Sequence, residues 1–316
     1  MSRGLSKNFG LIGTITYDVI TYESGPTFEG IGGVLFQAAV LCGLRKDVYL
    51  YTNLGQELVH DVEGIIKSWS NFHRKGIKPV PGPGNRVHLC YPQQGERIEV
   101  LKSVVPPLNP AQILKDLPEL GMLILVINSG FDLELEDWRK ITQALSCPLW
   151  LDIHSLPLAR KIGVNREYIS LTEWKEWAEG VDYLQANKQE VASMLGCPQR
   201  LPLEAEIKRF AEKAFDIGVK VVFITLGKEG GIVLTPEGSK KITSPPAKSI
   251  VDTTGCGDVF CGATAASLAE GKDPFAAAFF GLELAAKAAS LSGIRDTYAL
   301  AQRAGSFGWF PESNSP

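Results

Sequence analysis

The sequence predicts an α/β protein with a doubly wound, mostly parallel sheet flanked by helices, and with a small β-strand lid. Short apolar runs alternate with amphipathic stretches along most of the 316 residues, as in successive strand–helix–strand units. Two other stretches, 18–31 and 86–105, break this alternation and look like extended chain around turns. With 45% apolar and 21% charged residues, the composition excludes a largely disordered chain.

The strand candidates of the main sheet are short apolar runs, because helices cover both faces of a parallel sheet. In chain order they are Leu11–Ile15, Asp47–Asn53, Met122–Asn128, Leu149–Ile153, Val181–Gln185, Val219–Leu226 and Gly231–Leu234. The helix candidates lie between them and are amphipathic. They are Val34–Cys42, Glu57–Phe72, Glu134–Leu145, Lys188–Leu195, Leu203–Ile217, Gly257–Ala269 and Pro274–Leu291. We expect one domain over residues 1–304, and a flexible tail over residues 305–316, which are rich in Gly, Ser and Pro.

The lid is predicted from the two irregular stretches. The first contains a Gly25-Pro26 turn, and the second has the pattern of a hairpin in which Val87–Tyr91 and Arg97–Leu101 flank a turn. So small a sheet is not stable alone, and we expect it to lean on the main sheet or on another subunit. Because one short lid shields a cleft poorly, the lids of two subunits are expected to pair at their edges as a homodimer.

Charge and cysteine usage limit the partners and the compartment. The net charge of −3 and the pI near 5.9 indicate no nucleic-acid partner. No apolar run reaches 18 residues and no signal peptide is recognisable, so we expect no membrane association and a cytoplasmic location. The six cysteines form no CxxC pair and the four histidines are scattered, which predicts reduced thiols and no zinc site built from protein ligands.

The strongest chemical signal is the run DTTGCGD, Asp252–Asp258, at a predicted helix start. The backbone N–H groups of Gly255, Cys256 and Gly257 can converge at the positive end of the helix dipole, where they bind anionic oxygens. Asp258 in the first turn can then accept a proton from an attacking hydroxyl while the amides hold the charge on a phosphoryl group. The plain alternative is a glycine-rich turn in which Asp258 caps the helix.

Residues Asp252–Gly262 closely resemble the C-terminal signature DTxGAGDxFxxG of the ribokinase-like, or PfkB-type, carbohydrate kinase family, with Cys256 in place of the usual alanine. The resemblance extends from about Leu11 to Gly293. It implies a ribokinase-like fold and an ATP-dependent kinase. The implied acceptor is the hydroxyl of a primary alcohol on a sugar or sugar-like small molecule. It also implies that Asp258 is catalytic.

Further motifs of the family imply metal sites. Asn187-Lys188-Gln189-Glu190 follows a strand candidate and resembles the NxxE motif, so Asn187 and Glu190 are implied to order Mg²⁺ through its waters. Without the other motifs, the same residues would be an ordinary helix start. Because many relatives carry a monovalent cation beside the anion hole, the resemblance leaves open a K⁺ ion near Asp252.

Two segments resemble the nucleotide-binding part of the family. The run TLGKEGG, Thr225–Gly231, resembles the TLGxxG turn that borders the nucleotide, and Ala285–Gly293 resembles the helix and loop that cover the adenine. Glycines at such turns let the backbone approach phosphates closely. The implied nucleotide-binding residues are Thr225, Gly227, Gly230, Asn187 and Gly293.

The substrate side resembles the family less closely. Gly13–Asp18 is similar to the first strand, and Gly32–Ala38 to the GGxxxNxA motif, with Gln37 in place of asparagine. Gln56 stands where an aspartate is usual after Gly55, so ribose contacts cannot be carried over whole. The implied substrate-binding residues are Asp18, Gly32, Gly33 and Gln37.

Two alternatives share these motifs. A nucleoside kinase would use the same scaffold and differ only in what the Asp18, Gln37 and lid region accepts. A non-catalytic sugar-binding regulator would be a kinase that has lost its activity. The joint presence of Asp258, Asn187 and Glu190 favours an enzyme over a regulator.

Overall fold

The computed structural model describes residues 8–23, 25, 27–93, 98–115, 117–246 and 250–306. The strands are β1 (Asn8–Ile12), β2 (Ile15–Tyr22), β3 (Thr27–Gly33), β4 (Asp47–Gly55), β5 (Phe72–His73), β6 (Ile77–Val80), β7 (Asn85–Tyr91), β8 (Ile98–Ser103), β9 (Met122–Val126), β10 (Leu149–Asp152), β11 (Tyr183–Asn187), β12 (Val221–Thr225), β13 (Gly231–Thr235) and β14 (Gly238–Ile242). The helices are α1 (Leu35–Gly43), α2 (Val59–Ile66), α3 (Pro110–Lys115), α4 (Leu135–Ala144), α5 (Trp174–Ala178), α6 (Lys188–Met194), α7 (Glu204–Phe215), α8 (Cys256–Ala269), α9 (Pro274–Ala288) and α10 (Gly293–Ser306).

The larger sheet is doubly wound. Its strand order is β14-β13-β12-β11-β10-β9-β1-β4-β5, with β6 also paired to β4. The strands from β12 through β5 pair in parallel, and the hairpin β13–β14 adds antiparallel strands at one edge. The order reverses between β1 and β9, and the carboxyl ends of strands at such a point are where open α/β sheets bind ligands. The predicted fold class is confirmed.

Helices cover both faces of this sheet. One core cluster joins it to α1, α2, α8, α9 and α10, and the other joins it to α3, α4, α5, α6 and α7. The strands between these layers are buried along their length, which explains their continuous apolar sequences. No helix within the described ranges has both the length and the apolar character needed to cross a bilayer.

The lid is a second sheet of four strands in the order β3-β2-β7-β8. The strands β2 and β7 are parallel, while β3 and β8 flank them in antiparallel pairs. The sheet has a small apolar cluster of its own, formed by Ile20, Val87, Leu89 and Leu101. Both predicted lid stretches therefore contribute strands to one sheet. Ser24, Pro26 and residues 94–97, which belong to the two predicted turns, lie outside the described residues.

A segment that we call the strap, residues 158–168, lies along the outer edge of β8. The amide of Gly163 donates to the carbonyl of Leu101 (2.8 Å), and the amide of Arg166 donates to the carbonyl of Glu99 (2.9 Å). The strap follows β10 in the chain, so it ties the lid to the edge of the main sheet.

The first strand candidate, Leu11–Ile15, is wrong as a single strand. The chain leaves the main sheet at Gly13 and Thr14 and continues as the first lid strand. A Cβ at Gly13 would lie 2.8 Å from Oδ1 of Asn128, and the Thr14 amide and hydroxyl both donate to Asp132, at 3.1 and 2.7 Å. Close packing and a buried carboxylate therefore fix the bend.

The helix candidate Glu57–Phe72 is also too long. Its α-helix ends at Ile66, and Phe72 begins a short strand beside β4. The side chain of Asn71 donates to the carbonyl of Cys42 (3.1 Å), which holds the chain in the turn before that strand. The sequence reasoning also missed α10, whose last residues, Gly305 and Ser306, belong to the predicted tail; residues 307–316 lie outside the described part of the chain.

Candidate active site

A cavity of about 620 Å³ lies between the lid and the carboxyl ends of the main-sheet strands. Its lid half is bounded by the lid strands and by the ends of β9 and β10, and its outer half by the β12–β13 turn, the loop after β14 and α9. The lid half is lined by Thr16, Asp18, Leu89, Glu99, Asn128 and Asp152. The outer half is lined mainly by small or apolar residues, including Pro245, Pro246, Ile250, Leu282, Ala285 and Ala289.

The start of α8 lies between the two halves. Gly255 precedes the helix with φ of +79°, and a Cβ there would lie 2.8 Å from the ring of Phe36, so both conformation and space require glycine. Asp258 falls in the first turn, lines the cavity and is 7% exposed. Gly255, Cys256 and Gly257 line the same place, but the Cys256 amide donates to the carbonyl of Thr253 (3.3 Å).

Two glutamines hold this helix start in place. Nε2 of Gln37 donates a short hydrogen bond to Oδ1 of Asp258, and Gln37 is fully buried and absent from the cavity lining. Nε2 of Gln185 donates to Oδ2 of Asp152 (3.0 Å) and to the carbonyl of Gly257 (3.1 Å). The structure thus places Gln37 on Asp258, whereas its predicted contact with a substrate stays a prediction. Sequence reasoning missed Gln185, which no local pattern marks.

Asp152 is a buried carboxyl group in the lid half. Burial raises its pKa well above the usual range, and the charges of Glu190 and Asp258 raise it further. The folded protein therefore keeps a proton at Asp152 that an unfolded chain releases, and this group costs stability as the pH rises above its ordinary pKa. His154, two residues on, has a φ of +42°, an unusual conformation for a residue other than glycine, and lines the same wall.

Asp18 projects from β2 into the lid half. It is 9% exposed, and a Cβ on Gly32 of the neighbouring strand would lie 2.0 Å from its Oδ2. Gly32 itself does not line the cavity, and its lack of a side chain leaves room for Asp18; its predicted contact with a substrate stays a prediction. Gly33, with φ of +63°, does line the cavity.

Asn128 was not predicted as a site residue. It follows β9 at the point where the strand order reverses, lines the lid half and is 5% exposed. Neither its amide nitrogen nor its amide oxygen has a hydrogen-bond partner among the described residues. Because buried polar groups are nearly always satisfied, these two atoms indicate a place where a ligand or water donates and accepts.

Asn187 and Glu190 are brought together at the cavity wall. Asn187 ends β11 and caps α6: its Oδ1 accepts from the Glu190 amide (2.9 Å), while Oε2 of Glu190 accepts from the Asn187 amide (2.8 Å). Their oxygens suit Mg²⁺, which keeps much of its water shell. In the described part of the chain no cluster of three or more His, Cys, Asp or Glu side chains that could hold a metal ion occurs.

The other predicted residues divide between the cavity and its surroundings. Thr225, Gly227 and Gly230 line the outer half, whereas Gly293 starts α10 away from the lining. Asp252 is buried and does not line the cavity.

Asp252 links the lid to the loop before α8. Its Oδ1 accepts from the Thr254 amide (2.8 Å) and from the Tyr22 hydroxyl of the lid (3.4 Å). Burial and then the charge of Asp252 raise the pKa of Tyr22 to about 12, so its hydroxyl stays a donor.

Comparison with known sequences finds kinases. The model of the pfkB family carbohydrate kinases matches residues 160–299. The ribokinase of Bacillus subtilis is 51% identical over 306 residues, covering 90% of this chain and 92% of that protein. The ribokinase of Arabidopsis thaliana is 35% identical over 99 residues, 31% of this chain and 25% of that protein. For three such partial matches, the aligned region spans only 24 to 29% of the relative's own length.

Solved structures agree in fold. Arabidopsis thaliana ribokinase complexed with ribose and ATP aligns with a TM-score of 0.72 at 18% identity, over 96% of this chain and 99% of that chain. A nucleoside kinase from Burkholderia thailandensis in complex with inosine aligns with a TM-score of 0.72 at 16% identity, over 96% and 98%. The predicted ribokinase-like architecture is therefore confirmed.

Proposed function

The chain belongs to the pfkB family of carbohydrate kinases, and from that premise we propose that it transfers the γ-phosphoryl group of ATP to a primary alcohol of a sugar or sugar-like molecule. The observation that carries the proposal is the position of Asp258. This carboxylate lies at a helix start and lines the cavity between its lid half and its outer half. The full-length similarity to a Bacillus subtilis ribokinase supports a sugar as the acceptor.

The reaction asks for positioning and charge stabilisation more than for covalent chemistry. An acceptor in the lid half places its hydroxyl beside Asp258, which takes the proton as the oxygen attacks. The first-turn amides of Gly255 and Gly257 have no partner that an α-helix can supply, and they stabilise the transferring phosphoryl oxygens. Gln37 orients the carboxylate from behind.

ATP fits the outer half by its chemistry. Ala285, Ala289 and Leu282 offer a flat apolar surface for a base, and Gly227 and Gly230 allow a close approach of phosphates. Asn187 and Glu190 would hold Mg²⁺ through water, and the ion would neutralise phosphate charge there. A K⁺ ion beside Asp252 remains part of the proposal, since that buried carboxylate lies directly next to the helix start.

A coupled assay of ADP release over a panel of sugars, polyols and nucleosides tests the proposal. Turnover of a sugar supports it, and turnover of nucleosides alone would make the chain a nucleoside kinase. Binding of a sugar, measured by calorimetry, without any turnover would indicate a regulator and overturn the proposal.

Gly32→Ala should weaken acceptor binding. The new methyl group would lie 2.0 Å from Oδ2 of Asp18, so that carboxylate must move out of place. We expect the acceptor KM to rise about tenfold, the value of one misplaced hydrogen bond to a charged group, with the ATP KM unchanged. Gly30→Ala is the matched control, because the same strand leaves open space around Gly30. Equal effects of the two substitutions would contradict the role of Asp18.

The lid is proposed to pair with the lid of a second subunit. In the described strands β3 pairs only with β2, while the strap covers the opposite edge of the lid, so β3 is the edge open for pairing. Light scattering at micromolar concentration should therefore give the mass of a dimer. A strict monomer would contradict this arrangement.

A further inference from the structure

Glu99 is a carboxylate in the middle of the apolar inner face of the lid. In the register of β7 and β8 it lies opposite Leu89. The pair Val87–Leu101 lies two residues away along each strand, and all three of these neighbours are buried and apolar. Glu99 itself is 5% exposed and lines the lid half of the cavity. A lid that served only to exclude water would be expected to have an apolar residue here.

Arg166 of the strap holds Glu99 in place. Its Nη1 donates to Oε1 of Glu99 (3.0 Å), its Nε donates to the carbonyl of Ala159 (3.0 Å), and its side chain is fully buried. Arg166 is absent from the cavity lining, so the cation lies behind the carboxylate. The pair thus presents a fixed, negatively charged acceptor to the cavity at a defined position.

Four further polar groups of the lid half are either acidic or uncharged. Asp18 and Asp152 line it together with Asn128 and Thr16; the two buried amide atoms of Asn128 and the buried hydroxyl of Thr16 have no hydrogen-bond partner among the described residues. Among the described lining residues the one Lys or Arg is Lys228, on the β12–β13 turn of the outer half. Among the described lining residues of the lid half, a phosphate or carboxylate would meet acidic groups and no Lys or Arg side chain.

We infer that Glu99, positioned by Arg166, is a specificity-determining residue that accepts hydrogen bonds from hydroxyls of an uncharged polyhydroxy acceptor. Acceptors that already carry a phosphate or a carboxylate are excluded from the lid half. The inference rests on the proposed function and narrows its substrate class. Asp18 on β2 and Glu99 on β8 lie two strands apart, about 12 Å between Cα atoms by sheet geometry, so that one small molecule can contact both side chains.

The test compares each neutral sugar or polyol with its phosphorylated and carboxylated counterparts, in the wild type and in Glu99→Gln. In the variant the acceptor KM should rise about tenfold, because the acceptor hydroxyls then donate to a neutral amide oxygen and not to a charged carboxylate, while kcat and the ATP KM stay within about threefold. The ratio of kcat/KM for the neutral acceptor to kcat/KM for its phosphorylated counterpart should fall about tenfold. Glu134→Gln is the matched control, because Glu134 pairs with Arg160 of the same strap at an exposed position.

A second variant is needed because Glu99→Gln leaves the Arg166 charge buried without its partner, which destabilises the fold. Glu99→Gln/Arg166→Gln removes both charges and should show the same rise in acceptor Kd by calorimetry without ATP. An unchanged acceptor affinity in both variants overturns the inference, and so does a wild type that prefers a sugar phosphate or sugar acid; either result leaves the kinase proposal standing. A wild type that neither phosphorylates nor binds any acceptor overturns the proposed function, and the inference with it.

Discussion

Asp258→Asn is expected to lower kcat by about 10²- to 10⁴-fold, the usual value of general-base catalysis. The substitution keeps the size of the side chain and an oxygen that can accept the hydrogen bond from Gln37, but it removes the proton acceptor. The ATP KM should change little, because Asp258 is proposed to contact the acceptor hydroxyl and not the adenine of ATP. Steady-state kinetics on the substrate found in the panel measures both constants.

Cys256→Ala is the control for this prediction. The thiol of Cys256 lies 3.6 Å from the carbonyl of Ala285, and burial followed by the charges of Asp252 and Asp258 raises its pKa to about 12, so it stays protonated at neutral pH. The mechanism assigns no role to the side chain of Cys256, and kcat should stay within a fewfold of the wild type. Near-normal turnover in Asp258→Asn, or loss of turnover in Cys256→Ala, would contradict the assigned roles.

The geometry of the α8 start could be predicted because its information is local. A helix start with two glycines and a following aspartate occupies seven successive residues, and the structure places Asp258 in the first turn of α8 as expected. The same holds for Asn187 and Glu190, whose reciprocal capping bonds form within four residues. Backbone conformation and capping depend on neighbours in the chain, so they leave a readable pattern.

Asp18 and Gly33 line the cavity as predicted, but the pairing of Glu99 with Arg166 could not be predicted, nor could the contact between Gln37 and Asp258, because these contacts join distant parts of the chain. Glu99 and Arg166 are 67 residues apart, and Gln37 reaches Asp258 across 221 residues. No periodicity or motif marks such pairs. Glu and Arg usually lie at the surface of proteins. Only the register of the lid and the path of the strap reveal that Glu99 and Arg166 are buried.

Asp132 is the buried group on which the wall of the lid half depends. Its Oδ1 accepts from the amide and hydroxyl of Thr14, and its Oδ2 accepts from the amide and hydroxyl of Ser129 and from the amide of Gly130 (2.7 to 3.1 Å). Asn85 of β7 adds to this network through the Thr14 hydroxyl (2.8 Å). One fully buried carboxylate thus joins the bend into the lid to the loop that carries Asn128.

Asp132→Ala should lower the free energy of unfolding by about 3–5 kcal/mol, because several buried donors lose a charged acceptor at once. For a chain of this size that corresponds to a fall in Tm of about 5–8 °C. Acceptor binding should weaken as well, since Asn128 loses the support of its loop, whereas the ATP KM should change less. Asp137→Ala is the matched control: Asp137 pairs with the exposed Lys140 on α4 and should cost no more than about 0.5 kcal/mol. Denaturant unfolding measures both variants, and equal stabilities would show that Asp132 does not hold this wall.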